Sequence, residues 1–148
     1  MRLQQYINEG LEIRKVAKPH KYPGAFEYWE TIDNIPVKVN FFLENSYEGI
    51  WVISFDARKM YFDDNDKIVK VKTTMKTTMK IMSFVVSTVV DFIKSKSPKI
   101  ISFTESTGMK GGLPLYKRFV KEITKRFPYV EVVDTRSGNG EFMLRRTE

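Results

Sequence analysis

The chain contains no cysteine and a single histidine, His20, among its 148 residues. The absence of cysteine excludes disulfides, thiolate metal sites and cysteine nucleophiles, and it is typical of proteins from a reducing compartment. One histidine disfavours a histidine-based catalytic triad and excludes zinc motifs with paired histidines. The sequence therefore predicts no metal centre.

Long apolar runs are missing as well. The first ten residues lack the apolar core of a secretory signal, and no window reaches the roughly 18 apolar residues needed to span a bilayer. The longest apolar run, residues 81–93, is interrupted by polar residues at helical spacing. We therefore expect a protein that is neither secreted through a signal peptide nor embedded in a membrane.

The length and the hydrophobic fraction of 42% suit one core and are too small for two. Residues 1–24 are predicted to hold a short helix and a connector, because Leu3, Tyr6, Ile7 and Leu11 share a helical face. Residues 25–148 are predicted to form a single domain.

The net charge of +7 is unevenly distributed. Residues 67–126 hold 14 Lys and Arg against three acids, whereas the other 88 positions hold 11 against 15. Such a basic stretch suits a surface that meets phosphate, nucleic acid or an acidic partner, and it equally suits a solvated basic surface.

Apolar alternation and turn residues, with Asp33 and Asn34 forming the first turn, predict an antiparallel meander with strands near residues 26–32, 37–43 and 51–55. A long helix follows from about Thr74 to Lys96. Its apolar stripe and its polar side are both well marked: the stripe is Ile81, Phe84, Val85, Thr88, Val89, Phe92 and Ile93, and the polar side is Lys80, Ser83, Ser87, Asp91 and Lys94.

The second half of the chain predicts a buried strand at 99–104, parallel to a neighbour because a helix precedes it. A second helix starts near Pro114, with Tyr116, Phe119, Val120, Ile123 and Phe127 on one face. Residues 130–135 and 141–145 complete a closing hairpin. The predicted fold class is α/β with a mixed sheet.

Four short motifs carry a resemblance: Trp51–Phe55 (WVISF), Ser87–Ile93 (STVVDFI), Ile100–Thr104 (IISFT) and Leu115–Phe119 (LYKRF). They resemble strands and helices of small bacteriophage proteins with a GNAT-like, that is N-acetyltransferase-like, fold. The element order over residues 26–146 is similar to the GNAT core of meander, helix, parallel strand, helix and hairpin. The resemblance implies a phage accessory or virion-associated protein, in the host cytoplasm or the virion, with a phage or host protein as partner.

In acetyltransferases a tyrosine in this L-Y context protonates the departing CoA thiolate, so the resemblance implies Tyr116 as the catalytic candidate. The same tyrosine also fits an amphipathic core position. The glycine loop that holds the CoA pyrophosphate has no counterpart, because residues 67–81 contain no glycine. The pair of helices that builds the acceptor wall also lacks room within residues 1–25.

Lysines at helical spacing stand where acetyltransferases have the glycine loop that holds the pyrophosphate. Lys72, Lys76 and Lys80 form one ridge if the first helix starts early, and Lys117, Lys121 and Lys125 repeat the spacing on the second helix. With Lys110 in the glycine-containing loop 106–112, these residues are the candidate anion-binding or nucleic-acid-binding set, and a solvated helix face is the alternative.

Three functions follow from these features. The first is a noncatalytic accessory protein that binds a partner on a degenerate GNAT-like scaffold and needs no cofactor. The second is an N-acetyltransferase with a divergent cofactor loop, which would use acetyl-CoA. The third is a basic nucleic-acid-binding protein, for which electrostatics is the only support.

Overall fold

The computed structural model describes residues 12–45, 49–57, 60–62, 68–70, 75–103, 112–133 and 142–148. The predicted N-terminal helix lies outside these residues. The described part is a mixed α/β fold with one seven-stranded, mostly antiparallel sheet, a small two-stranded sheet and two helices. The elements in chain order are β1 (His20–Tyr22), β2 (Ala25–Ile32), β3 (Ile35–Asn45), β4 (Ile50–Ala57), β5 (Met60–Phe62), β6 (Ile68–Lys70), α1 (Met75–Lys96), β7 (Ile100–Phe103), α2 (Gly112–Arg126), β8 (Tyr129–Val133) and β9 (Phe142–Arg146).

The large sheet has the order β1-β2-β3-β4-β7-β9-β8. Strands β2, β3 and β4 form the predicted meander, and β7 pairs with β4 in parallel over Ile50–Ile53 and Ile100–Phe103. Helix α1 makes the connection between these two parallel strands. The predicted closing hairpin is confirmed as β8 and β9, with β9 antiparallel to β7.

Three short strands were not predicted. Residues 20–22 were expected to belong to an irregular connection, but they pair with β2 as a short edge strand. Residues 60–62 and 68–70 pair as the small sheet just before α1. Each of these strands has only three residues, too few for a period-two pattern to be recognised against the background of the sequence.

The core lies between α1 and one face of the large sheet. The predicted apolar stripe of α1 is buried throughout, and Phe92 meets Phe41, Trp51 and Phe26 with ring centroids 4.3, 5.1 and 5.7 Å apart. Helix α2 packs on the same face, because Phe119 contacts Phe103, which neighbours Ile53 in the sheet. Neither of the two described helices therefore packs on the opposite face of the sheet.

Candidate functional site

A cleft of about 480 Å³ lies at the start of α1. The segment before β1, the end of β2 and the first turns of the helix form its walls. Acids and bases alternate around it over an apolar floor, and its lining consists of Glu12, Arg14, Glu30, Thr31, Ile32, Asp33, Lys76, Met79, Lys80 and Ser83.

The turn between β2 and β3 brings Asp33 into this cleft. Ile32 pairs with Ile35, so Asp33 and Asn34 are the two central residues of a tight hairpin, with φ angles of 48° and 66°. Asp and Asn tolerate this left-handed conformation better than other non-glycine residues, which explains their presence here. The short turn holds the Asp33 carboxylate against the first turns of α1.

Asp33 binds two side chains of that helix. Thr77 donates a hydrogen bond to Oδ2 over 2.5 Å, and Lys80 Nζ lies 3.0 Å from Oδ1. The hydrogen bond from Thr77, followed by that from Lys80, lowers the pKa of Asp33, and the nearby charge of Lys76 contributes in the same direction. The carboxylate is thus held ionised beside the N-terminal, positive end of the helix dipole.

The second ion pair of the cleft joins Arg14 and Glu30. The guanidinium binds the carboxylate in a bidentate manner, with Nη1 3.0 Å from Oε1 and Nη2 on Oε2. Arg14 also lies over the ring of Phe84, with Cζ 5.5 Å from the ring centroid. The hydrogen bond and charge of Glu30 raise the pKa of Arg14 despite its partial burial. Two of the cleft's three cations are therefore matched by carboxylates of the same chain.

The segment before β1 also fixes the polar side of α1. Ser83 donates to the carbonyl of Glu12, and the amide of Arg14 donates to Ser87 Oγ over 3.0 Å. Ser87 in turn donates to the Ser83 carbonyl over 2.7 Å. Both serines are buried, although they belong to the polar side predicted from the sequence, because the extended backbone of residues 12–14 covers them.

The predicted site residues separate into three groups. Lys76 and Lys80 lie together at the cleft, and Lys80 is bound by Asp33. Lys121 and Lys125 are exposed on α2. Tyr116 and Lys117 belong to the part of α2 whose side chains are not described, and Lys72 and Lys110 lie outside the described residues.

Sequence reasoning missed the carboxylates of the cleft. Asp33 was recognised only as a turn residue, and Arg14 and Glu30 were not singled out. The turn type gave one usable signal, since a two-residue hairpin places its side chains at the end of the sheet. The residues of α1 that Asp33 binds depend on where the helix crosses this end of the sheet. No local sequence pattern encodes that crossing point.

Among the described residues, no group of three or more His, Cys, Asp or Glu side chains is arranged to hold a metal ion. None of the described helices is both long and apolar enough to cross a bilayer. Comparison with family models, curated proteins and solved structures gives no match to this chain. The geometry of the described residues and the sequence motifs are thus the basis for a functional proposal.

Proposed function

We propose that this chain is a noncatalytic binding protein on a GNAT-like scaffold. The order of the large sheet supports the scaffold. Four antiparallel strands lead through a helix to a strand parallel to β4, and a second helix leads to a closing hairpin whose last strand inserts beside β7. This is the element order that the resemblance of the sequence motifs implies.

The position of Asp33 is the observation that best supports a noncatalytic role. In the scaffold proposed here, the CoA pyrophosphate would approach the N-terminal end of α1. The carboxylate of Asp33 already binds Thr77 and Lys80 in the first turns of that helix. A diphosphate in this place would meet a fixed negative charge and would have to compete for Lys80. The absence of glycine from residues 67–81 points in the same direction.

The start of the sheet supports the same proposal. The resemblance implies two helices between the first strands as the wall of the acceptor site. Here β1 and β2 are joined by Pro23 and Gly24 alone, with Gly24 at a φ of 69° and Tyr22 paired with Ala25. A connection of two residues has no room for such helices, so the described residues supply no wall on this side for an acceptor pocket of the usual kind.

An accessory role, in which the domain presents a surface to a partner, remains the function that fits these features. Its place in a phage particle or in the infected host rests on the motif resemblance. The competing proposal is an acetyltransferase that binds acetyl-CoA in a different way and uses Tyr116 as its acid.

Calorimetric titration with acetyl-CoA separates the two. We expect no saturable heat of binding for the wild-type chain, and no acetyl transfer to a panel of amine and peptide acceptors. Asp33→Asn is the matched variant, because Asn keeps the left-handed turn while removing the charge that opposes a diphosphate. Saturable binding by the wild type, together with turnover that Tyr116→Phe abolishes, would establish the enzyme instead.

A further inference from the structure

The two edges of the large sheet differ in character. At one edge, β1 has three residues, with Lys21 at its centre and with Pro19 and Pro23 on either side. A short strand, a lysine and flanking prolines are features that keep an edge strand from pairing with another chain. At the other edge, β8 has five residues, YVEVV, which favour strands and include neither lysine nor proline, and it pairs with β9 without a bulge. Of these two edges, the one at β8 is therefore open to a further strand.

One backbone hydrogen bond shows which groups of β8 face this edge. The Thr147 amide donates to the Pro128 carbonyl over 2.8 Å, so these two residues form a hydrogen-bonded pair at the end of the β8–β9 ladder. Such pairs alternate along antiparallel strands, and Val130 therefore bonds β9 as well. The N–H and C=O of Glu131 point the other way, towards the open edge. No backbone group in the described part of the chain bonds them.

The side chains of β8 carry an apolar strip and a single charge. By alternation with the buried Tyr129, Val130 and Val132 lie on the sheet face opposite the helices, and Val130 is 40% exposed. Glu131 is exposed on the helix side. No described cation forms a salt bridge with Glu131, and no described carboxylate forms one with the exposed Lys125 in the last turn of α2. An acid on the strand and a cation at the adjacent helix end are thus both available to a second chain.

We propose that β8 pairs antiparallel with β8 of a second copy of this chain, about a two-fold axis, so that the two large sheets become continuous. Val130 lies opposite Val130 of the second copy. Glu131 then lies opposite Tyr129 of the second copy and donates its backbone N–H to that carbonyl, and the two-fold axis repeats the bond. Because only residues 127 and 128 separate α2 from β8, the Glu131 carboxylate comes beside the helix end that carries Lys125.

The charge pattern selects both this register and this occupant. A register centred on Glu131 would set two carboxylates directly opposite each other, which is destabilising. Pairing Glu131 with Tyr129 instead keeps every side chain on its own face, gives each carboxylate a cation, and places the two Val130 side chains against each other. The strand and the helix end of one chain therefore complement those of its copy. A strand from a different protein would have to bring its own cation to match Glu131.

Analytical ultracentrifugation of the full chain tests the pairing. The measurements cover about 1 to 500 µM at about 0.15 M salt, a range that suits a small interface. We expect a monomer–dimer equilibrium that shifts towards the dimer with concentration. Hydrogen exchange followed by NMR should show the Glu131 amide slowing as the dimer forms, because this amide enters a ladder only in the dimer.

A proline on the edge removes the proposed bond. Glu131→Pro deletes the N–H that faces the open edge and leaves the bonds to β9 in place, since proline is tolerated where an edge N–H faces solvent. The dimer loses one hydrogen bond per copy and should weaken about 5- to 150-fold. Lys21→Pro is the matched control. The backbone of Lys21 also faces outwards, because the two-residue turn makes Tyr22 and Ala25 a hydrogen-bonded pair. This variant should leave the dimer unchanged.

Charge exchange tests the register. Glu131→Lys sets a cation against Lys125 of the second copy and should weaken the dimer at least about twofold. Glu131→Lys/Lys125→Glu restores opposite charges and should recover most of the affinity. Circular dichroism and the exchange rate of the Val130 amide check that each variant is folded and that β8 still pairs with β9.

Several results would overturn the inference. A chain that stays monomeric up to the highest concentration is one, and a dimer that Lys21→Pro weakens as much as Glu131→Pro is another. An exchange rate of the Glu131 amide that does not change with concentration, or a double charge variant that recovers no affinity, would also contradict it. The pairing of β8 goes beyond the binding role proposed above, and these measurements involve no acetyl-CoA, so the two can fail separately.

Discussion

The phenol of Tyr28 donates a 2.6 Å hydrogen bond to Asp91 Oδ2 and so ties β2 to α1. Tyr28 is only 2% exposed. Burial, and next the hydrogen bond to the Asp91 carboxylate, raise the pKa of Tyr28 far above that of a free phenol. The tyrosine therefore acts as a neutral donor at all ordinary pH values, and the pair secures the polar side of the helix to the sheet.

Breaking this pair should destabilise the fold from either side. Tyr28→Phe leaves the carboxylate without its donor, and Asp91→Ala leaves a buried hydroxyl without its acceptor, so each should lower the free energy of unfolding by about 1–3 kcal/mol. Urea denaturation measures the loss. The double variant should cost less than the sum of the two single variants, because the partners share one interaction. Strict additivity would mean that the hydrogen bond contributes nothing to stability.

The pKa of Asp33 makes a prediction about acid. Its folded-state pKa is lowered, so its contribution to stability is present above the unfolded value of about 3.9 and is lost as the pH falls through the folded value. The wild type should therefore lose stability more steeply below about pH 4 than Asp33→Asn, which cannot titrate. Parallel stability curves for the two proteins would contradict this prediction.

Thr77 gives a direct check on the cause of that shift. Its hydrogen bond is the largest contribution lowering the pKa of Asp33. Thr77→Val has a similar shape without the donor, so the pKa of Asp33 should move back towards its ordinary value. Carbon-detected NMR titration of the Asp33 carboxyl measures the change.

The seating of the N-terminal segment on α1 depends on Ser87. Ser87→Ala removes the acceptor of the Arg14 amide, and we expect a loss of about 1 kcal/mol with faster exchange of that amide. Hydrogen exchange followed by NMR resolves the effect at Arg14. Ser95→Ala is the control, because Ser95 donates to the Phe92 carbonyl within the helix and should leave Arg14 protected.

Phe92 is the centre of the aromatic core. Its ring stacks on Phe41 at 4.3 Å and also contacts Phe26 and Trp51. Phe92→Ala should cost about 3–5 kcal/mol because it leaves a cavity. Phe42→Ala is the contrasting variant: Phe42 is exposed on the other sheet face, so its stability should change by less than about 0.5 kcal/mol. Thermal or urea unfolding followed by tryptophan fluorescence separates the two, and similar costs would invalidate the assignment of faces.

Sequence patterns were reliable where an element is long and carries a marked apolar stripe, although Met82, Val86 and Val90, outside the stripe of α1, are buried as well. Helix α1 was predicted from about Thr74 to Lys96, and it runs over Met75–Lys96 with the whole predicted stripe buried. The three meander strands were predicted for the same reason, and β7 was recognised as a buried strand parallel to a neighbour. Burial of one face imposes a period on the sequence, and that period can be read without knowing the partner element.

The candidate site was predictable only in part. Lys76 and Lys80 were expected to contact an anion, and at the cleft Lys80 contacts the chain's own carboxylate, Asp33. The exposed rings of Tyr22 and Trp29 could not be assigned to one side of the sheet from the sequence, because both residues alternate with core residues in short or weakly patterned strands. Which side of the sheet each ring occupies depends on register.

The sequence by itself determined the longer helices and strands, their order and the basic character of the chain, since period, turn residues and charge are local properties. Only the tertiary structure decided which charges neutralise each other and which rings stay exposed. Asp33 meets Lys80 across 47 positions, and Tyr28 meets Asp91 across 63. Contacts over such separations follow from how α1 crosses the sheet, and both helices pack on one face because their connections run the same way.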